Sequence, residues 1–195
     1  MPFPEEYLRR IVNDEVVGNF PPFTLGSIAK IESYIRKILA HLSSISTLLI
    51  EADFDSYGSG FASYVEVKIA KKDGSDSHTR AKTGRAVHET AGLMLYISRL
   101  TPYWFYGGGN WTKNYEGGRL TGGSAMFLEP GSSTHINRAV WQHHGQLIEA
   151  VLQEFRYGLL TTDELLQPAP TDIRIRTVLA DKPYKVFDCF FYWED

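Results

Sequence analysis

The stretch TPYWFYGGGNWTKNYEGGRLTGG, residues 101–123, carries six aromatic residues and seven glycines. Glycine frees the backbone for unusual turns and close approaches, whereas clustered aromatics need a core to enter or a partner to bind. In an extended strand Tyr103 and Phe105 point one way while Trp104 and Tyr106 point the other. One pair joins the core. Trp111 and Tyr115 follow, so the aromatic supply exceeds what one sheet face absorbs. We therefore expect part of Trp104, Tyr106, Trp111 and Tyr115 to stand exposed and contribute to a partner interface. A catalytic loop would bring in a titratable group, and the stretch offers only Lys113 and Glu116 near its aromatics.

Upstream of this stretch the hydrophobic period changes along the chain. Residues 4–17 read as a short helix with Tyr7, Leu8, Ile11, Val12 and Val16 on one side, stopped by the prolines of NFPPF. Ile28, Ile31, Ile35, Ile38 and Leu42 make one apolar stripe of a second helix, which Thr24 is placed to cap. From Ser46 the period becomes two. TLLIEADFD and SYVEVKIAKK read as a hairpin with Ala52 opposite Val65, Ile50 opposite Val67 and Leu48 opposite Ile69. That register leaves Glu51, Asp53, Asp55, Glu66 and Lys68 on a wet, acidic face. KKDGSDSHTRAKTGRA has no apolar period and reads as a long loop.

GLMLYISRL, PYWFY and GSAMFLEP follow as strands. A third helix begins near SSTHIN, with Val140, His144, Leu147, Val151 and Phe155 on its inner face and Trp141, Ile148 and Leu152 beside them. TTDELL gives a further short turn of helix. The chain closes on a second expected hairpin, pairing Arg174 with Asp188 so that Ile173 and Ile175 share a face with Phe187, Cys189 and Phe191. The architecture this predicts is α+β: a mainly antiparallel sheet of about six to seven strands flanked by three main helices, in a single domain over residues 1–195.

The chain has 195 residues, 43% hydrophobic and 22% charged, the balance of a globular protein with a full core. Its net charge of −3 makes nucleic acid an unlikely partner, because phosphate binding leaves a basic footprint. The single cysteine, Cys189, sits among apolar neighbours and is expected to be a buried thiol in a reducing compartment. No apolar run is long enough to span a membrane, and the first residues lack a signal-peptide pattern. These features place the chain in the cytoplasm.

No metal-ligand or cofactor spacing occurs, so neither is expected. GSGFAS lacks the third glycine and following helix of a dinucleotide loop. Glu51, Asp53 and Asp55, at alternate positions of one strand, would present three carboxylates to a basic partner. The leading expectation is a non-catalytic cytosolic protein-binding domain with the general character of immunity proteins that neutralise a toxin or enzyme. The rival is a small hydrolase or transferase built from His144 with Asp53 and Asp55. A carbohydrate-binding module, resting on the aromatic platform, is a third.

Overall fold

Thirteen consecutive antiparallel residue pairs, from Arg85 with Glu116 to Ile97 with Trp104, join the aromatic stretch to the strand before it. The computed structural model describes residues 3–195. In chain order, helices α1 (Glu5–Val12) and α2 (Ile28–Ser43) precede strands β1 (Leu48–Asp53), β2 (Phe61–Ala62) and β3 (Tyr64–Lys71). Strands β4 (Ser77–Lys82), β5 (Arg85–Ser98), β6 (Tyr103–Glu116) and β7 (Arg119–Ala125) follow. Helix α3 (Arg138–Glu154), β8 (Gly158–Leu159), α4 (Thr162–Leu165), α5 (Val186–Phe190) and β9 (Trp193–Glu194) complete the chain.

Seven strands form one mostly antiparallel sheet in the order β1-β3-β5-β6-β7. Strand β4 runs beside β5 beyond the stretch that pairs with β3, and β8 lies parallel to the start of β6. This is the α+β arrangement expected from the sequence. Helices α2 and α3 cover one face, over Val65, Val67, Leu95, Ile97 and Trp104. On the other face α1, α5 and the C-terminal segment bury Tyr64, Tyr96 and Phe105.

The glycine run is strand. A Cβ on Gly107 would stand 2.4 Å from that of Ser132, and one on Gly108 would stand 2.8 Å from the His135 carbonyl oxygen. The 3-10 turn Pro130–His135 therefore crosses β6 in direct contact with its backbone, which only glycine permits. Trp104 is 1% exposed beneath the helices and Trp111 is 7% exposed. Their expected exposure is corrected: Trp104 is covered by the helices, and the Trp111 ring lies flat against its own sheet at Gly92.

Other corrections have identifiable causes. In the β1–β3 pair Ala52 faces Val67 and Ile50 faces Ile69, two residues from the expected register. The apolar faces are unchanged by a shift of two, so alternation alone could not choose. The connection is also longer than a tight turn, because β2 leaves to pair with β9. The buried Arg99 guanidinium holds this connection, donating to the carbonyls of Phe54 and Ala62, each at 2.6 Å, and to Ser56 Oγ at 3.2 Å. Its Nε lies 3.0 Å from Glu32 of α2.

The expected loop after β3 is largely the β4–β5 hairpin, turned at Thr83 and Gly84 with positive φ. The expected C-terminal hairpin is absent, and Cys189 lies in helix α5 instead of a strand. Val186, Phe187, Cys189, Phe190, Phe191 and Tyr192 are all buried and only Asp188 between them is half-buried, so the run carries no diagnostic period. Burial pushes the Cys189 thiol up to about 12. Helix α2 buries Ile31, Ile35, Ile38 and Leu42 as expected, but Ser27 is its cap, accepting from the Lys30 amide. Helix α3 buries Trp141, Gly145, Ile148 and Leu152, one position round from the expected stripe.

Trp104→Ala is predicted to cost roughly 3–5 kcal/mol in chemical denaturation, the usual loss for emptying a large buried aromatic site. A midpoint matching that of the parent would place the ring outside the core.

Candidate functional site

Beyond the cover supplied by α5, the sheet face that carries Tyr96 and Phe105 continues into the open. Alternation and register bring Glu51 from β1, Lys68 and Ala70 from β3, Thr90 from β5, and Trp111 and Lys113 from β6 onto it. Lys113 Nζ pairs with the Glu51 carboxylate, although β3 and β5 lie between their strands. In a flat sheet three strand spacings would separate those backbones by about 14 Å. The sheet therefore curls, and this face is a trough.

Two cavities, of about 330 and 240 Å³, share Glu51, Lys68, Trp111 and Lys113 in their walls. Trp111 forms the floor. Its ring rests against Gly92, where a Cβ would come within 2.5 Å of the indole. The rim is apolar: Leu49, Leu120 and Phe127 are 49%, 61% and 42% exposed and line the same two cavities. Exposed side chains of this size gathered round one concavity are the usual mark of an interaction site.

At the inner end lies Glu66, which is 3% exposed. Its Oε2 accepts from the Tyr57 hydroxyl at 2.9 Å and its Oε1 lies 3.1 Å from Lys68 Nζ. The Tyr57 and Tyr64 hydroxyls are 3.1 Å apart, and the Tyr64 ring stacks on Tyr96 at 3.9 Å. Burial pushes the Glu66 carboxyl above its usual range, while Lys68 and Tyr57 oppose the shift.

The structure divides the residues expected to act together. Glu51 and Trp111 meet in the trough, and Tyr115 lies half-buried farther along the same face of β6. Trp104 and Tyr106 are on the opposite face, their rings stacked at 5.2 Å. The row of three carboxylates does not form, because β1 ends at Asp53. Asp53 instead accepts from the backbone amides of Asp55 at 2.7 Å and Tyr57 at 3.1 Å, and so stabilises a turn. Asp55 lies beyond the strand, exposed.

His144 is likewise remote from Asp53. Its Nε2 lies 3.1 Å from Thr47 Oγ1, just before β1 begins, whereas Asp53 ends that strand. Six residues of extended chain place them about 20 Å apart. Burial, with Lys71 and His143, holds the His144 pKa below its usual value. Among the described residues no group of three or more His, Cys, Asp or Glu side chains is placed to hold a metal ion. No spacing in the sequence joins Tyr57, Glu66, Lys68 and Lys113 into one site. Their convergence depends on sheet curvature, which leaves no signal in a two-residue period.

Glu66 makes stability depend on pH. Its folded pKa lies above the unfolded value, so the native state holds the proton more tightly and this contribution is lost as pH rises from about 4.5 through the folded value. Glu66→Gln removes that term, and its melting temperature is predicted to gain on the parent over this range. Parallel curves, or a parent that gains, would contradict it.

No family model, curated protein or solved structure matches this chain, and what the trough can do follows from its own geometry.

Proposed function

We propose that this chain is a non-catalytic binding protein whose trough receives an extended segment of another protein. The observation that carries this reading is the exposed apolar rim of Leu49, Leu120 and Phe127 around a floor of Trp111. An apolar anchor from the partner would settle between rim and floor, where burial is favourable at about 25 cal/mol per Å². Glu51, Lys68 and Lys113 would select the polar groups beside that anchor. Because Lys68 and Lys113 stand beside Glu51, the site has both signs of charge, and a partner segment carrying both fits it better than a purely basic one.

The partner class we propose is a protein toxin or enzyme that this chain neutralises in the cytoplasm. Its general character supports that class: a mildly acidic domain without a recognisable catalytic arrangement. No helix among the described residues is long and apolar enough to cross a membrane. On the enzyme side stands Glu66, but Tyr57 and Lys68 already engage its two oxygens. The carbohydrate reading draws less support, because two of its four platform aromatics, Trp104 and Trp111, are buried.

The test is capture from a native lysate of the source cells, with the parent compared against Leu120→Lys combined with Phe127→Lys. Removing a central anchor commonly costs at least about 2 kcal/mol, roughly thirtyfold in affinity. A partner retained by the parent and by Leu25→Lys, whose exposed side chain lies away from the trough, should be lost by the rim pair. Empty capture, or capture indifferent to the rim pair, would contradict the proposal.

A further inference from the structure

On the opposite sheet face a cavity of about 450 Å³ opens between α3 and the start of β6 and β8. One side of α3 supplies Arg138, Gln142, Gly145, Gln146 and Glu149 to its wall. Their spacing of 4, 3, 1 and 3 keeps them on one helical face. A cation therefore begins the stripe, an anion ends it, and two amides stand between. Among the described residues neither Arg138 nor Glu149 has a salt-bridge partner, and the Tyr106 hydroxyl, which also faces this wall, makes no hydrogen bond.

Gly145 is a second, independent pointer. It lies in the middle of a long helix, where glycine is the poorest choice after proline. No close approach demands it: a Cβ there would meet only the Tyr106 hydroxyl oxygen, at an ordinary 3.6 Å. Alanine would fit and favour the helix. What glycine provides at this position is open space in front of the Tyr106 phenol, at the centre of the stripe. Burial holds that phenol above its usual range, Glu149 adding to the shift and Arg138 opposing it, so both charges act on the same hydroxyl.

We infer that this cavity is a second site, which binds a short unblocked peptide lengthwise along α3. The carboxylate end lies at Arg138 and the ammonium end at Glu149. Arg138 and Glu149 are eleven residues apart, about 16 Å along the axis. A free amino acid is too short to meet both. Three residues of extended peptide span about 10 Å, leaving the remainder to the two charged side chains. Gln142 and Gln146 can each donate and accept, as a peptide group requires. The helix dipole favours the same direction, with the ligand carboxylate towards the N-terminus of α3.

Calorimetric titration of the parent with a series of Ala-X-Ala tripeptides tests this. At least one member should bind saturably. N-acetylation or C-terminal amidation of that peptide should weaken binding by about tenfold or more, since each removes a charge that the site pairs. Gly145→Leu should abolish binding by filling the cavity, and Gly145→Ala should melt higher than the parent. Arg138→Gln and Glu149→Gln change exposed positions and provide the test if the leucine variant fails to fold. The rim pair Leu120→Lys and Phe127→Lys should leave tripeptide affinity unchanged, which separates this site from the trough. Absence of saturable binding across the series, equal affinity for blocked and free peptides, or binding that survives Gly145→Leu would overturn the inference.

Discussion

The long pairing of β5 with β6 is the constraint on which the rest of the molecule depends. Each ladder residue is committed to one of two faces, and in the middle of the ladder both faces are covered by other parts of the chain. The helix side takes aliphatic residues and Trp104, whereas the other side takes Tyr64, Tyr96 and Phe105 with the C-terminal aromatics. Such a strand pair cannot slip by one residue without exchanging two different cores. Glycine marks the crossings. At Gly107 and Gly108 the covering turn lies so close that a side chain would have to displace backbone.

Where that cover ends, the same ladder creates the trough. Beyond Thr90 and Trp111 the strands continue without α5, and the curl of the sheet brings β1 within reach of β6. The Glu51–Lys113 pair spans the gap but does not produce the curl. Partly exposed ion pairs of this kind contribute about 0.2–1 kcal/mol, too little to bend a sheet. Strand twist and the packing of the helices on the other face supply the curvature. Arg99 acts in a different way. Its buried charge joins α2 to the connection after β1, and a lost partner would leave a guanidinium without water or acceptor.

The elements most legible in the sequence had one buried side and one wet side. Helix α2 is the clearest case, because Ile31, Ile35, Ile38 and Leu42 face the sheet while solvent bathes the remainder. Helix α3 is recognisable as a helix, but its buried centre falls on Trp141, Ile148 and Leu152, which the apolar pattern places beside the main stripe. Its buried stripe includes Gly145, which carries no hydrophobic signal, and leaves Val140 outside. Two opposite failures bracket that success. Strand β4 is polar on both faces and so looked like loop, while the run around Cys189 is buried at every position but Asp188 and so looked like strand. Among the site residues, Glu51 and Trp111 were visible as types in a suggestive place. Lys113 could be matched with Glu51 only through a curvature that arises from the assembled sheet.

Native-state hydrogen exchange tests the dependence on β5–β6 most directly. Backbone amides within the ladder, in residues 93–97 and 104–106, are predicted to exchange only through global unfolding. Their opening free energies should fall with denaturant along the slope of the whole-molecule transition. The outer ends near Arg85 and Glu116, which lack the second cover, should open in smaller events. If the central ladder amides instead exchanged through local openings while α2 and α5 stayed protected, the strand pair would not be the element on which the two cores rest.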